Sequence, residues 1–212
     1  MSIRTFFMKL FSRTKTTESF ILCGLGNPGE KYESSFHNVA WMLMDAMYPD
    51  ATWQKNRYMN GLSAHTDISF SDSDNSAPLV LVRPTTFMNR SGDIIPYLHK
   101  TYQVSPDHFI VMHDDVDLPL GTFRIAYNRG DAGHKGVASL VHALKTRSFV
   151  RIRIGVHTRH GDDRIIKPDV LKSLSNAERA SLLSLAEPVR DAVACIMEHG
   201  VSRAMHVYHT SS

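Results

Sequence analysis

Short apolar runs that end in glycine or in a small cluster of polar residues are the feature that most constrains this chain. Four clusters stand out: Gly24-Leu25-Gly26-Asn27-Pro28-Gly29, Phe36-His37-Asn38, Thr86-Phe87-Met88-Asn89 and His113-Asp114-Asp115. Hydrophobic strands do not need amides, imidazoles or carboxylates at their ends in order to fold. Hydrolysis by an activated water needs a base, an acidic group that orients it and neutral hydrogen-bond donors. The clusters therefore indicate a hydrolytic site at strand ends.

Segments with the pattern of strands alternate with segments that have the pattern of helices. Apolar or alternating runs predict strands over residues 19–25, 61–70, 79–82, 109–112, 122–127 and 149–156. Helical spacing predicts helices over residues 35–47, 91–102, 137–145 and 175–198, the last one interrupted at Pro188 and stopped by Gly200. The alternation predicts an α/β fold, a single domain with a twisted mixed β-sheet flanked by helices on both faces.

Length and composition fit one ordinary globular domain. The chain has 212 residues, 42% of them hydrophobic and 21% charged, which is enough to bury a core without disulfides or metals. Its two cysteines favour a reducing compartment, and no apolar run approaches the roughly 20 residues of a membrane span. We therefore expect a cytoplasmic protein with no membrane partner, and a monomer.

The two ends of the chain differ in composition from its middle. The first 17 residues carry four basic side chains and no acid, which suits an N-terminal extension of a cytosolic protein and also a mitochondrial presequence. We predict an extension over residues 1–17, an α/β domain over residues 18–205 and a loosely ordered tail over residues 206–212. The net formal charge of +3 does not by itself indicate a nucleic-acid binder.

His37 and Asp114 are the best candidates for a base and its orienting acid. His37 lies in the first turn of a predicted helix, where the helix dipole disfavours an imidazolium unless a carboxylate compensates. Asp114 follows a predicted strand and is the natural compensating group. Because parallel strands deliver their carboxyl ends to one edge, the two side chains are expected to meet there.

Other kinds of site fit the residues less well. The Gly24-x-Gly26-x-x-Gly29 spacing matches a dinucleotide fingerprint, but the following helix starts too late and no acidic strand end follows. The acids after His113 would point to opposite faces of a strand, and they lack the spacing of metal ligands. No Gly-x-Ser-x-Gly elbow is present. We therefore predict no metal and no cofactor.

A set of basic residues allows two interpretations, and their spacing does not distinguish between them. Arg124, Arg151 and Arg153 lie on predicted strands, with Arg129 and Lys135 in the glycine-bearing loop between them. On a shared face they form a phosphate-binding patch. On an exposed edge strand they are solvated charges.

Taken together, the motifs make the chain similar to the bacterial-type peptidyl-tRNA hydrolases. The matching segments are the glycine cluster with Tyr32, His37-Asn38, Arg83-Pro84-Thr85-Thr86-Phe87-Met88-Asn89 with Ser91-Gly92, His113-Asp114-Asp115-Val116-Asp117-Leu118-Pro119 with Gly121, Ala132-Gly133-His134-Lys135-Gly136, and Arg151-Ile152-Arg153-Ile154-Gly155. They follow the family's order and spacing from about residue 19 to 200. Several motifs in register are far more specific than any one of them.

The resemblance implies hydrolysis of the ester between a peptide and the 3′ ribose of tRNA, which frees tRNA after premature drop-off from the ribosome. It implies that His37 is the general base and that Asp114 holds its tautomer. It further implies that Asn27 hydrogen-bonds near the scissile ester and helps to distinguish N-blocked from free aminoacyl ends.

The resemblance also implies how tRNA is held. Asn89 would contact the terminal nucleotide or the developing oxyanion. Tyr32, Phe87 and Met88 would form walls for the 3′ adenosine and the peptide. Arg153, with Arg124 nearby, would bind tRNA phosphate.

The chain departs from the family pattern at four positions. Phe36 replaces the usual arginine, Ala40 a glycine, Ala126 a basic residue and Lys135 an asparagine that contacts substrate and positions water. Lys135 cannot accept a hydrogen bond; it attracts phosphate, stabilises an oxyanion, or pairs with Asp114 and competes with His37. These departures keep open an alternative, a non-catalytic RNA-binding relative like the plant organelle splicing factors.

Overall fold

The computed structural model describes residues 19–70, 75–103, 105–159 and 165–209, apart from the side chains of Arg159 and His209. The predicted extension over residues 1–17 lies outside these residues, as do residues 210–212 of the predicted tail.

A mixed β-sheet of eight strands forms the centre of the molecule. The strands are β1 Phe20–Gly24, β2 Gln54–Asn56, β3 Gly61–Ser69, β4 Ser76–Pro84, β5 Phe109–Pro119, β6 Phe123–Tyr127, β7 Val150–Arg159 and β8 Ile165–Ile166. Their order is β2-β3-β4-β1-β5-β7-β6, and β8 pairs with β7. Strands β4, β1, β5 and β7 run parallel to one another, whereas β2, β3 and β6 are antiparallel to their neighbours. The parallel centre places the carboxyl ends of β1, β4 and β5 at one edge.

Helices cover both faces of this sheet. They are α1 Val39–Met47, α2 Ile95–Tyr102, α3 Lys135–Leu144, α4 Asn176–Leu183, α5 Ala186–His199 and α6 Val201–His209. Leu22 of β1 belongs to an apolar core shared with α1, α4, α5 and α6, whereas Ile21 and Cys23 belong to a second core shared with α2 and α3. Successive strand side chains point to opposite faces, so each face has its own core. This confirms the predicted α/β fold. No helix in the described part of the chain is long and apolar enough to cross a membrane.

Strand β5 continues to Pro119, well beyond the predicted end at residue 112. Its pairing with β7 shifts register between Asp115 and Pro119, and Gly155 of β7 faces this irregularity. The backbone N–H of Gly155 donates to the carbonyl of Thr122 at 2.8 Å. A Cβ at Gly155 would collide with the carbonyl oxygen of Pro119, so only glycine permits this close approach.

The C-terminal helices follow the sequence prediction except at their interruption. The predicted capping box is present, because Ser175 Oγ accepts from the backbone of Glu178 while the Glu178 carboxylate accepts from the backbone of Ser175. The break between α4 and α5 falls at residues 184–185, so its placement at Pro188 was wrong. Pro188 lies in the first turn of α5, where its missing N–H has no intrahelical partner to lose. Gly200 ends α5 with φ of 82°, as predicted.

Helix α6 continues to His209, so the prediction of a loosely ordered tail from residue 206 was wrong for residues 206–209. Its anchor is Ala204, which is fully buried, and Val201, Met205 and Tyr208 pack on the same core. These residues recur at helical spacing, so the apolar side of α6 holds this helix against the core.

Candidate active site

The carboxyl ends of β1, β4 and β5 bring the predicted site residues to one edge of the sheet. A cavity of about 580 Å³ lies there. Eight of the ten predicted site residues line it, namely Asn27, Tyr32, His37, Phe87, Met88, Asn89, Asp114 and Lys135. The cavity is of the size that takes small-molecule groups such as a nucleoside or a short peptide end.

His37 and Asp114 form a close pair at the bottom of this cavity. His37 lies in a short 3₁₀ turn, Phe36–Asn38, that leads into α1, and its backbone N–H donates to the carbonyl of Val170 at 2.9 Å. Its Nδ1 lies 2.9 Å from both carboxylate oxygens of Asp114. The side chains are 15% and 2% exposed. Because a carboxylate only accepts, Nδ1 donates and the lone pair of the ring lies on Nε2.

Asp114 is held in its ionised form. Burial opposes its ionisation, but the electrostatic interaction and hydrogen bond with His134, together with those with His37, outweigh burial and lower the pKa of Asp114 well below its usual range. The carboxylate therefore accepts from two imidazoles at neutral pH. Such a group can stabilise an imidazolium that forms on His37.

His134 is the functional residue that the sequence analysis missed. Its Nε2 lies 3.0 Å from Asp114 Oδ1, while its Nδ1 accepts from the backbone N–H groups of Gly136 and Val137 at 3.2 and 3.3 Å, which caps α3. A backbone N–H can only donate, so we assign the ring proton to Nε2, facing Asp114. Two signals were available in the sequence, its position just before a predicted helix, where capping side chains occur, and its place in the Ala132–Gly136 segment that resembles the family.

The distances alone would allow a metal ion among these three residues. One ligand atom from each of His37, Asp114 and His134 lies within 4.8 Å of the others. However, a metal on Nε2 of His134 would force the ring proton onto Nδ1, which faces two backbone N–H donors. The donor set therefore opposes metal binding. Two other acids of the same segment form ion pairs instead of a ligand cluster. Asp115 pairs with Arg153, and Asp117 pairs with Lys167.

Asn27 is held by three hydrogen bonds that leave its side-chain Nδ2 group unused. Its backbone N–H donates to Asn38 Oδ1 at 2.8 Å, and Asn38 Nδ2 donates back to the carbonyl of Asn27 at 3.0 Å. Its side-chain Oδ1 accepts from the backbone N–H of Met88 at 2.9 Å. Its Nδ2 has no hydrogen bond to any residue that the structure describes, so this donor is available to the cavity.

Aromatic and polar side chains form the mouth of the cavity. Phe87 is 56% exposed, and its ring meets that of Tyr32 edge-on at 6.5 Å between centroids. Met88 is buried against Gly136, where a Cβ would clash with the methionine sulfur. Asn89 is exposed beside them. These residues leave a flat aromatic face next to the buried centre.

Lys135 is the first residue of α3 and lines the cavity. Among the residues described there, it is the one lysine or arginine in the lining. No ion pair joins it to Asp114 in the described structure, where both partners of that carboxylate are imidazoles. The prediction that Lys135 pairs with Asp114 and competes with His37 was therefore wrong.

The predicted phosphate-binding arginines lie beside the cavity and do not line it. Arg153 Nε donates to Asp115 at 2.6 Å, and Asp115 itself lines the cavity. Arg124 lies opposite Arg153 in the β6–β7 ladder. Arg151 is buried and donates to the carbonyl of Gly130 at 2.7 Å, so it holds the loop before α3. Of the three strand arginines, Arg124 and Arg153 therefore remain candidates for phosphate.

The glycine motif serves packing in this structure. Trp41 Nε1 donates to the carbonyl of Gly24 at 2.8 Å, and a Cβ at Gly26 would lie 2.6 Å from the indole ring. Only a three-residue 3₁₀ turn, Glu30–Tyr32, follows the glycine turn directly, and helix α1 begins at Val39. The arrangement lacks the anion site of a dinucleotide-binding fold.

Comparison with known proteins agrees with the site. Residues 21–212 match the family model described as peptidyl-tRNA hydrolase. The peptidyl-tRNA hydrolase of Thermodesulfovibrio yellowstonii is 33% identical over 89% of this chain and 98% of its own, and that of Thermotoga petrophila is 34% identical over 90% and 97%. The crystal structure of the Acinetobacter baumannii peptidyl-tRNA hydrolase superposes with a TM-score of 0.74 at 25% identity, covering 90% of this chain and 94% of that one. This chain belongs to the peptidyl-tRNA hydrolase family.

Proposed function

We propose that this chain hydrolyses the ester bond between a peptide and the 3′ ribose of tRNA, and so returns tRNA from peptidyl-tRNA that has left the ribosome. The observation that carries the proposal is the pair of His37 and Asp114 in a cavity that also presents a free amide donor on Asn27. The family membership of the chain supports the same reaction.

The proton path follows from the tautomer of His37. Its Nε2 takes a proton from a water molecule as the water oxygen bonds to the ester carbonyl carbon, which forms a tetrahedral oxyanion. Asp114 stabilises the resulting imidazolium through Nδ1. When the ester bond breaks, the proton on Nε2 passes to the leaving 3′ oxygen of the ribose. The products are a peptide with a free carboxyl group and a tRNA with a free 3′ hydroxyl.

Two amides would contact the substrate, Asn27 at the acyl group and Asn89 at the terminal nucleotide. Asn27 Nδ2 is fixed by the hydrogen bonds of its own backbone and Oδ1, so it costs little reorganisation when it donates to a peptide carbonyl or an oxyanion. Asn89 lies at the mouth and is exposed, which suits contact with the terminal nucleotide. A neutral donor at Asn27 also favours an acylated amine over a charged one.

The mouth of the cavity and the neighbouring strands β6 and β7 would bind tRNA. The exposed ring of Phe87, with Tyr32 at its edge and Met88 below, offers a stacking surface for the 3′ adenosine. Arg153, oriented by Asp115, and Arg124 beside it supply positive charge for phosphate.

Release of N-acetyl-aminoacyl groups from tRNA tests the proposal. Wild type should turn over many substrate molecules, and His37→Ala should lose nearly all activity because the base is gone. His99→Ala, which removes an exposed histidine on α2, is the matched control and should keep full activity. An inactive wild type, or a His37→Ala variant that keeps its rate, would overturn the proposed reaction.

Lys135 supports a second candidate function, binding of RNA without hydrolysis. It places a positive charge in a cavity whose family counterpart carries a neutral asparagine. We expect the Lys135→Asn variant to distinguish the two functions in the same turnover assay. Multiple turnover by wild type excludes pure binding. A wild type that binds tRNA tightly without turnover, and gains turnover on Lys135→Asn, establishes it.

The site of action is proposed from the sequence. We propose a monomer that acts in the cytoplasm, with a mitochondrial location as the alternative suggested by the basic residues 1–17. Size-exclusion chromatography of the purified chain and microscopy of full-length and residue 19–212 fusions test these two points.

A further inference from the structure

The loop between β2 and β3 carries an aromatic ring that no described element covers. Tyr58 is 73% exposed, more than any other large hydrophobic residue in the described structure. The guanidinium of Arg57 lies 4.9 Å from the centre of the Tyr58 ring, and its Nη2 donates to the Tyr58 hydroxyl at 2.9 Å. We call this pair the Tyr58 platform. A ring fixed from one side by a cation presents its other side flat to the surroundings.

The platform stands on a rigid base. Asn56 Oδ1 accepts from the backbone N–H groups of Tyr58 and Met59 at 3.0 and 3.1 Å, and Asn56 Nδ2 donates to the hydroxyl of Tyr97 at 2.6 Å. Met59, the next residue, is fully buried in the core beneath α2 and α3. The exposure of Tyr58 is therefore built into an ordered turn, and a binding partner would find the ring already in place.

The platform lies at the same end of the sheet as the cavity mouth. Strand β3 pairs antiparallel with β4, with Gly61 opposite Pro84, and the backbone N–H of Thr85 donates to the carbonyl of Asn60 at 2.8 Å just beyond that pair. Tyr58 lies two residues before Asn60, and Phe87 lies two residues after Thr85. Both therefore stand in the loop segments that extend beyond this end of the β3–β4 ladder. The two exposed rings thus belong to one edge of the molecule.

The charge around Tyr58 suits a polyanion. Residues 54–60 include the exposed Lys55 and Arg57 and no acidic residue. Exposed aromatic rings interleaved with basic side chains are how proteins hold single-stranded nucleic acid, with stacking for the bases and positive charge for the backbone. A protein partner would be expected to bury more apolar surface than one ring offers.

We propose that the Tyr58 platform stacks an unpaired base of the tRNA 3′ end, one that precedes the terminal adenosine held at Phe87. The proposal rests on the proposed function, because that function places the 3′ end of tRNA in the neighbouring cavity. It extends the binding surface from the cavity along the edge of the sheet to β2. Every tRNA ends in unpaired nucleotides, so stacking here would serve all tRNAs alike.

Binding of a labelled RNA hairpin that mimics an acceptor stem tests the platform independently of hydrolysis. One hairpin keeps the four unpaired 3′ nucleotides, and a second is blunt. Fluorescence anisotropy at one fixed salt concentration gives both affinities. Tyr58→Ala should weaken binding of the overhang hairpin about tenfold, since one base stack is lost. Tyr58→Phe should bind like wild type, because the ring is kept.

Tyr127→Ala is the matched control, since it removes a part-exposed tyrosine from β6 at the opposite edge of the sheet. The proposal is overturned if Tyr58→Ala loses no more affinity than Tyr127→Ala, or loses the same affinity for the blunt hairpin. Wild type that binds the overhang hairpin but fails in the turnover assay would refute hydrolysis while leaving the platform standing. Wild type that binds neither hairpin would overturn the platform, whereas hydrolysis is decided by the turnover assay alone.

Discussion

The bottom of the cavity and its mouth are built in opposite ways. At the bottom, Asp114 accepts from His37 and His134, and Asn27 is held at three of its polar groups. At the mouth, Phe87 is 56% exposed and its ring meets that of Tyr32 edge-on. Several hydrogen bonds fix each group at the bottom, as is expected where a proton must be transferred between defined atoms. The mouth is left open for a partner. Changes at the bottom of the cavity should therefore reduce kcat, and changes at its mouth should raise KM.

Asp114→Asn should cause the largest loss. The asparagine amide cannot hold His37 with its proton on Nδ1 as the carboxylate does, and it cannot stabilise the imidazolium, so kcat should fall by about 10³- to 10⁴-fold. Single-turnover hydrolysis of N-acetyl-aminoacyl-tRNA measures this loss without interference from product release.

Asp115→Asn is the matched control for that variant. It changes the adjacent residue of β5 in the same way but touches Arg153 instead of an imidazole. It should raise KM and leave kcat little changed. Equal losses of kcat in both variants would show that buried negative charge in general, and not the contact with His37, supports the reaction.

Asn27→Asp should come next in effect. The carboxylate can still accept from the backbone of Met88, so the fold of the turn is kept, but the free N–H donor is replaced by a negative charge. Loss of one such donor typically lowers kcat by about 10²- to 10³-fold. Asn176→Asp, an exposed position at the start of α4, makes the same chemical change away from the cavity and should be silent. If Asn27→Asp keeps its kcat, Asn27 does not act on the acyl group.

His134 joins the bottom of the cavity to the scaffold, and two variants separate these roles. His134→Asn keeps a good N-cap for α3 but is too short to reach Asp114, so kcat should fall about tenfold, as for loss of one hydrogen bond to a charged group. His134→Ala removes the cap as well and should lose a further ~1 kcal/mol of unfolding free energy. Thermal melts and turnover of both variants measure this. A His134→Asn variant with full activity would limit His134 to capping.

The features that were predicted correctly are those for which the fold imposes a residue pattern on a short stretch of sequence. Strand β1 is buried on both faces and reads as an unbroken apolar run, and the parallel order then forces the ends of β1 and β5 together. That is why the meeting of His37 with Asp114 could be predicted without coordinates. Strand β2 has a polar, exposed sequence, and pairing with β3 alone makes it a strand, so no pattern marked it.

The missed parts of the site depend on contacts between distant segments. His134 reads as an ordinary cap in the sequence, and only the fold shows that the other ring nitrogen faces Asp114. Lys135 follows it directly in the sequence, yet the imidazole before it occupies the place next to the carboxylate. Which of two neighbouring basic residues reaches a buried acid depends on the angle at which α3 begins, and no local pattern encodes that angle.

Phe87→Ala should give the smallest effect and the cleanest contrast with the bottom of the cavity. The ring has little packing to lose, so stability should stay near that of wild type, while the loss of one stacked base should raise KM about tenfold. Steady-state kinetics should show kcat close to wild type, and Phe87→Trp should restore KM because it also offers a ring. A fall in kcat comparable to that of Asn27→Asp would mean that the mouth aligns the ester as well as holding the nucleotide. The division between a rigid bottom that performs the chemistry and an open mouth that binds would then fail at Phe87.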